Sequence, residues 1–412
     1  MAIWTPSLKG RRGTRALALV EAMRADIMAG LLAPGDRLPP QRDLAYRLGL
    51  SPHTVMRAYA EAARRGYVRG EVGRGTYVSS PVCRHQTGED PVLRRPEIGP
   101  VDFSRNLPFV GESEQALAAT LADLVRAGGL ADYLDHESND VALRHRRAGA
   151  AWVAMTGLST SVEKIILTCG AQQGIFATFA AVLHPGDVLL TEALTYAPVK
   201  SIARHLGVRI VGLPMDRDGI CPEAIEAACR QHPARALYIT PTLQTPTAVT
   251  MGERRRRIIA HLADAHDLIL IEDDVFGLLP QSVPDPVAAF APQRSVYITG
   301  LSKTAAPGLR VGFVHAPDRL VGAIRNAVIM SSWMPPPLMS EIAAQWVADG
   351  TAEKLKEGQR AHASRRQAMA CGALAGFHYH TDPFGSHLWL SLPEHWQADA
   401  FSAAAADFGV RV

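Results

Sequence analysis

From Val101 onward, short runs of β-branched and aliphatic residues recur between longer stretches with apolar positions every three or four residues. The short runs lie at Lys164–Thr168, Asp187–Thr191, Val208–Leu213, Arg235–Thr240, Leu268–Glu272, Ser295–Thr299 and Arg310–Val314. They predict strands, and the stretches between them predict helices. Strands separated by helices predict an α/β architecture with a mostly parallel sheet covered on both faces. In such sheets, ligands bind beyond the carboxyl ends of the strands.

The first eighty residues have a different rhythm. Leu17, Val20, Met23, Ile27 and Met28 follow a helical period between Arg15 and Ala29, and Gly30 stops it. After a Pro34-Gly35 turn and a short extended piece, Gln41–Leu48 predicts a short helix with Leu44, Ala45 and Leu48 inward. Ser51 is a good N-cap and Pro52 suits a first helical position, so a second helix should run to about Arg65, burying Val55, Ala58, Tyr59 and Ala62. Tyr67–Val78 reads as a hairpin with Gly73-Arg74-Gly75 near its tip. Helix, short helix, turn, helix and basic hairpin form a mainly α winged helix-turn-helix, in which the second helix of the pair enters the major groove. His53, Thr54 and Arg57 fall on the face left exposed.

Charge sharpens the division. The net +3 of the chain hides 13 Lys+Arg against 6 Asp+Glu in residues 1–80, and 30 against 34 in the rest. Only the first part is therefore expected to meet a polyanion, double-stranded DNA. The stretch from Ser79 to Pro100 has four prolines and no period, and is expected to be a linker. The expected domains are 1–80, a linker 81–100, and 101–412. At 47% hydrophobic and 20% charged, the composition is that of a globular protein. The apolar run around Ile175–Leu183, about ten residues, is too short to span a bilayer. Cys83, Cys169, Cys221, Cys229 and Cys371 show no metal-like spacing. They read as reduced thiols, with no metal expected and a cytoplasmic location.

The chemistry concentrates at predicted strand ends. Lys303 follows the run ending at Thr299, and Arg310 follows a Pro307-Gly308 turn. A desolvated lysine exposes a nucleophilic amine, and an arginine can hold a phosphate with two parallel bonds. Those are the two grips that pyridoxal 5'-phosphate requires. Cys169-Gly170-Ala171-Gln172 is a glycine turn into a helix start, which presents free amides to an anion. Asp273 ends another run, where a carboxylate can accept a pyridinium N–H. Each motif alone has a bland reading: a surface lysine, a loop-capping aspartate, an ordinary helix start.

Two resemblances bring these signals together. Gly30, Leu32, Pro34, Gly35, Asp36, Leu38, Pro39, Arg42, Leu44, Ala45, Ser51, Thr54, Val55, Ala58, Tyr59, Gly73, Gly75, Thr76 and Val78 match the signature of the GntR-type regulators. That likeness implies DNA contacts by Arg42, Thr54, Arg57 and Arg74, with Pro52 standing where the family usually has arginine. The motifs of the larger part, taken in order, resemble the fold-type-I aminotransferases. Their fusion to a GntR-type domain resembles the MocR-like regulators over nearly the whole chain. The resemblance implies a homodimer that binds pyridoxal 5'-phosphate as an internal aldimine, with Lys303 as the Schiff-base lysine and Asp273 as the pyridinium partner. It implies Arg310 with the Ala171 and Gln172 amides at the phosphate, and Tyr196 stacked on the ring. It also implies Tyr133 reaching the phosphate from the other subunit.

The chain departs from the aminotransferase pattern at several points. Thr245 replaces an asparagine, and Phe276 occupies or adjoins the place of a tyrosine; both usual residues donate to the cofactor's phenolic oxygen. The hydroxyl of Thr245 remains as a candidate donor. Gly300 replaces a serine, and the chain stops short of the family's C-terminal segment with its carboxylate-binding arginine, so the small domain looks truncated. The expected function is a transcription regulator that senses pyridoxal 5'-phosphate or a small amine or amino-acid effector. A working aminotransferase and a cofactor-free DNA-binding dimer are the alternatives.

Overall fold

A computed structural model of the chain describes residues 4–7, 14–28, 31–33, 35–64, 67–71, 75–78, 101–135 and 139–412. The chain divides into two compact units, Met1–Glu89 and Asp90–Val412. Gly30, Pro34, Gly73, Arg74 and the expected linker lie outside the described residues.

The first unit consists of α1 (Arg15–Met28), α2 (Gln41–Leu48), α3 (Pro52–Arg64), β1 (Val68–Glu71) and β2 (Gly75–Val78). The two strands pair antiparallel, Val68 opposite Val78 and Glu71 opposite Gly75. The extended piece before α2 joins them, since Leu38 N donates to Thr76 O and Val78 N to Asp36 O. Ser51 caps α3: its Oγ accepts from Thr54 N at 3.1 Å and lies 2.8 Å from Thr54 Oγ1. Gly49, left-handed at φ 61°, turns the chain between the two helices. Leu44, Ala45, Val55, Ala58, Tyr59 and Ala62 are buried together with Leu19, Val20 and Met23 of α1. Leu17 is a correction, because it is exposed and Leu19 takes its place. The buried stripe of α1 follows Leu19 and Met23, four residues apart, with Ala18, Val20 and Ala22 beside them.

Tyr59 Oη donates to Pro39 O at 2.8 Å inside this core and ties α3 to the piece before α2. Tyr59→Phe leaves that buried carbonyl without its donor. The expected cost is about 0.5–1.5 kcal/mol. For a unit of this size the melting point falls roughly 4–8 °C per kcal/mol, which a thermal scan of the full chain reads in the transition that this substitution moves.

The second unit opens with β3 (Val101–Asp102), α4 (Gly111–Ala127) and α5 (Asn139–Ala154). Then come β4 (Ile165–Thr168), α6 (Ala171–Val182), β5 (Val188–Glu192), α7 (Ala197–His205) and β6 (Arg209–Leu213). After the small hairpin β7 (Met215–Asp216) and β8 (Gly219–Ile220) follow α8 (Pro222–Gln231), β9 (Ala234–Ile239), α9 (Glu253–Ala265) and β10 (Ile269–Asp273). Next are α10 (Val287–Phe290), β11 (Ser295–Gly300), β12 (Gly312–His315), α11 (Asp318–Ser332), α12 (Pro337–Ala348) and α13 (Thr351–Ala373). The chain closes with β13 (Tyr379–Thr381), β14 (Leu388–Leu390), α14 (Ala398–Asp407) and β15 (Val410–Arg411).

The seven β-branched runs form one sheet in the order β4-β12-β11-β10-β9-β5-β6. Only β12 runs antiparallel to its neighbours. Alternate residues of each strand enter different cores: Ile271 and Tyr238 pack with α6, α7 and α11, while Leu270 and Leu237 pack with α8 and α9. Burial on both faces makes these strands read as continuous apolar runs rather than alternating ones. The strand predicted from Arg310 begins instead at Gly312. Arg310 closes a 3-10 turn, Pro307–Leu309, in a left-handed conformation at φ 53°. No helix among the described residues is long and apolar enough to cross a membrane.

Candidate functional site

The parallel strands end on one edge, and their last residues form the site. Thr168, Gly312 and Gly300 lie side by side across β4, β12 and β11, and Asp273 pairs with Ile298 one strand further on.

At the end of β4 the chain turns through Gly170, at φ 82°, into α6. No side chain caps this helix. Its first backbone bonds run from Gln173 and Gly174 to Gly170 O, so the Ala171 and Gln172 amides are the ones a helix start leaves over. Arg310 reaches this turn: its Nη2 donates to Cys169 O at 3.2 Å. A Cβ on Gly170 would lie 2.8 Å from that nitrogen, so only glycine lets the guanidinium come so close. The left-handed backbone of Arg310 aims the side chain here. Tyr196, at the start of α7, donates from Oη to Gln172 Oε1 at 3.4 Å and so stands beside the same turn. Guanidinium and free amides together make an anion cradle.

Asp273 is buried at the end of β10. Its Oδ2 accepts from Tyr238 Oη at 2.6 Å, while Oδ1 is buried with no hydrogen-bond partner among the described residues. Burial raises its pKa to about 6, against the pull of the Tyr238 hydroxyl. A buried carboxylate oxygen with an open lone pair fits a group that brings its own N–H.

Lys303 lies beyond the end of β11. Burial lowers its pKa to about 8, with the Asp273 charge acting in the other direction. Its Nζ donates to Asn106 O at 2.6 Å and sits 5.4 Å from the centre of the Phe276 ring. A lysine so depressed is partly neutral near pH 8, the state in which an amine attacks an aldehyde. The open Asp273 oxygen, the Gly170–Arg310 cradle and the depressed lysine together fit pyridoxal 5'-phosphate.

The positions of departure also have a structural account. Phe276 is buried against His387, ring centres 5.5 Å apart. Thr245 is half-buried and is followed by a cis bond to Pro246. A Cβ at Gly300 would lie 2.7 Å from Val311 O, so β12 leaves no room for a side chain there. Tyr133 ends a 3-10 turn, Leu130–Tyr133, and packs beside a core cluster; burial, then Glu341, raises its phenol pKa.

Several residues here gave no sequence signal. Tyr238 lies inside a strand run and looked like plain core. Asn106 and His387 bond to each other across 281 positions, a pairing no local pattern records. Glu192 is wholly buried at the end of β5, held by Thr240 Oγ1 at 2.9 Å and Gln244 Nε2 at 3.1 Å, and burial lifts its pKa to about 8. Its place at a strand end was the available signal.

In the first unit, Arg42, His53 and Arg57 are exposed on α2 and α3. Thr54 is half-buried and engaged by Ser51. Arg74 lies outside the described residues.

Residues 101–412 match the family of class I and II aminotransferases, and residues 15–78 match the bacterial regulatory proteins of the gntR family. The HTH-type transcriptional regulator YdeF of Bacillus subtilis is 30% identical over 411 residues, covering 99% of this chain and 88% of its own. PtsJ of Salmonella typhimurium, a vitamin B6 salvage pathway transcriptional repressor, is 28% identical, with 97% of this chain and 90% of its own covered. The crystal structure of an archaeal alanine:glyoxylate aminotransferase superposes with a TM-score of 0.68 at 22% identity, covering 76% of this chain and 80% of that one. That likeness bears on the fold.

Proposed function

The chain belongs to the aminotransferase class I and II family and carries a gntR-family regulatory domain ahead of it, and from this we propose that it is a DNA-binding transcription regulator whose larger unit senses pyridoxal 5'-phosphate. One observation carries the reading: a capped, basic winged helix shares a chain with a site that keeps lysine, open carboxylate and arginine cradle together. When bound, the cofactor supplies an aldehyde and an electron-withdrawing pyridinium ring.

The residues then divide the work. Lys303 supplies the amine. Asp273 would hold the ring proton through its open Oδ1. Arg310 and the Ala171 and Gln172 amides would take the phosphate, and Tyr196 would stack on the ring. Thr245 offers a hydroxyl to the phenolic oxygen, and Tyr133 of the partner subunit completes the phosphate site in a homodimer. The residues 1–80 bind the operator, 81–100 connect, and 101–412 hold the ligand, all in the cytoplasm. A small amine or amino acid is the further effector. Sensing requires that the ligand favour one arrangement of the DNA-binding heads over another.

Phe276 and Gly300 stand where a turnover site would carry donors, which supports regulation over catalysis. The test is operator affinity measured with and without pyridoxal 5'-phosphate. A change in affinity is expected. Ordinary rates of amino-group transfer from an amino acid to a 2-oxo acid, with no effect on DNA binding, would make the protein an enzyme instead. Arg57→Ala is expected to weaken operator binding by about 1–3 kcal/mol and to relax preference at one base position. Equal weakening on all sequences, read by competition binding, would mark Arg57 as a phosphate contact.

A further inference from the structure

Lys303 is tied to a segment that belongs neither to the sheet nor to the C-terminal part, and that segment touches both. Its Nζ donates to the main-chain oxygen of Asn106. The Asn106 side chain turns the other way: Nδ2 lies 3.0 Å from His387 Nδ1, and Oδ1 accepts from Ser386 Oγ. His387 Nε2 lies 3.1 Å from Gln244 O. These partners fix the ring's state. A carbonyl only accepts, so Nε2 carries the proton; Nδ1 is then the acceptor and Asn106 Nδ2 the donor. Asn106 Oδ1 is left to accept from Ser386, as observed. The network is consistent with a neutral imidazole, and burial, which lowers the His387 pKa, favours that form.

The same segment is held further along. Phe109 N donates to Gln359 Oε1 at 3.0 Å, and Gln359 Nε2 returns a bond to Phe109 O. Gln367 Nε2 donates to Gly385 O at 2.8 Å and to His387 O at 3.1 Å. Residues 106–109 thus stand between the Lys303 amine and two C-terminal pieces, α13 and the turn that leads into β14.

We propose that Asn106 is a positioning residue that couples the state of the Lys303 amine to the Ser386–His387 turn. This rests on the reading of Lys303 as the group that takes the cofactor. As an ammonium, Nζ holds Asn106 O through a charge-assisted bond. To react with an aldehyde it first gives up a proton. A C=N bond then forms as the C=O bond breaks, and the two remaining amine hydrogens leave with the oxygen as water. Asn106 O has then lost its donor, and the side-chain hold of Asn106 on Ser386 and His387 is no longer anchored from below. By reciprocity, loosening the turn alters how readily the amine is released. The device gives the ligand site a mechanical output toward the C-terminal part of the unit.

Backbone hydrogen exchange of the full chain, without cofactor, tests the coupling directly. Lys303→Met keeps the apolar stem and removes the donor. It is expected to speed exchange roughly tenfold or more in residues 103–109 and also in 384–390. Asn106→Ala is expected to do the same in 384–390, and the double variant is expected to add nothing further there. Added pyridoxal 5'-phosphate should speed exchange in 384–390 in the parent protein but not in Asn106→Ala. Exchange in 384–390 that is unchanged in Lys303→Met, or effects that simply sum in the double variant, would overturn the coupling. His387→Phe, which keeps a ring against Phe276, serves as the second break. If it leaves the response of 384–390 to the cofactor at the parental level, the path through His387 is wrong. Failure of the parent protein to take up the cofactor would sink the functional reading instead, and the comparison of unliganded variants would still decide the coupling.

Discussion

With Lys303 replaced by alanine, protein mixed with pyridoxal 5'-phosphate is expected to show no absorbance beyond that of the free aldehyde, whereas the parent chain develops a visible band. The effect is expected to be all-or-none because Lys303 is the buried amine that lies beyond the end of β11 within reach of the Asp273 charge. The pH dependence has a definite sign. Burial lowers the Lys303 pKa from 10.5 to about 8. Only the deprotonated amine attacks, so the rate of band formation should climb as pH rises through about 8 and then level off. A band of equal size in Lys303→Ala would remove the lysine from the site. A rate still climbing well above pH 10 would mean that burial does not tune the amine.

The second large effect is expected at Asp273. Asp273→Asn keeps an oxygen for the Tyr238 hydroxyl, so the core there stays paired. It removes the charge that would hold a ring proton through the open Oδ1. Loss of a charge-assisted bond costs about 1.5–3 kcal/mol, roughly 10- to 150-fold in cofactor Kd. Titration of absorbance against cofactor concentration measures it. A Kd within a factor of two of the parent would show that this carboxylate does not hold the ring. Asp273→Ala is the poorer test, because it strands Tyr238 Oη in the core as well.

The sequence carried some of this in plain view. Strands such as Leu268–Glu272 are buried on both faces, and such strands advertise themselves as apolar runs. A Pro-Gly turn followed by an apolar run looks the same whether the arginine is extended or left-handed, so the pattern puts Arg310 on a strand that in fact begins at Gly312. The aim of Arg310 at Gly170 depends on its φ of 53°, which no pattern of residue types encodes. Lys303 and Asp273 stand at strand ends, so topology alone singles them out. Asn106, Tyr238 and His387 matter through partners far along the chain: Asn106 meets Lys303 across 197 positions, and Tyr238 meets Asp273 across 35. Such pairings follow from packing of the whole unit. In the first unit the legible features were local ones, the Ser51 cap and the Gly49 turn, since their partners lie within a few residues.

The glycines at the meeting of β4, β11 and β12 bear on how reversible this chain's divergence is. At Gly300 a Cβ would come 2.7 Å from Val311 O, and at Gly312 one would come 2.5 Å from the main-chain carbon of Gly170. Restoring a serine at 300 is therefore not a one-step gain of a phosphate ligand; the backbone at Val311 and Gly312 would have to move away first, and Gly312 itself is packed against the turn at Gly170. A laboratory lineage selected for transamination should find changes at 245 or 276 long before it finds one at 300.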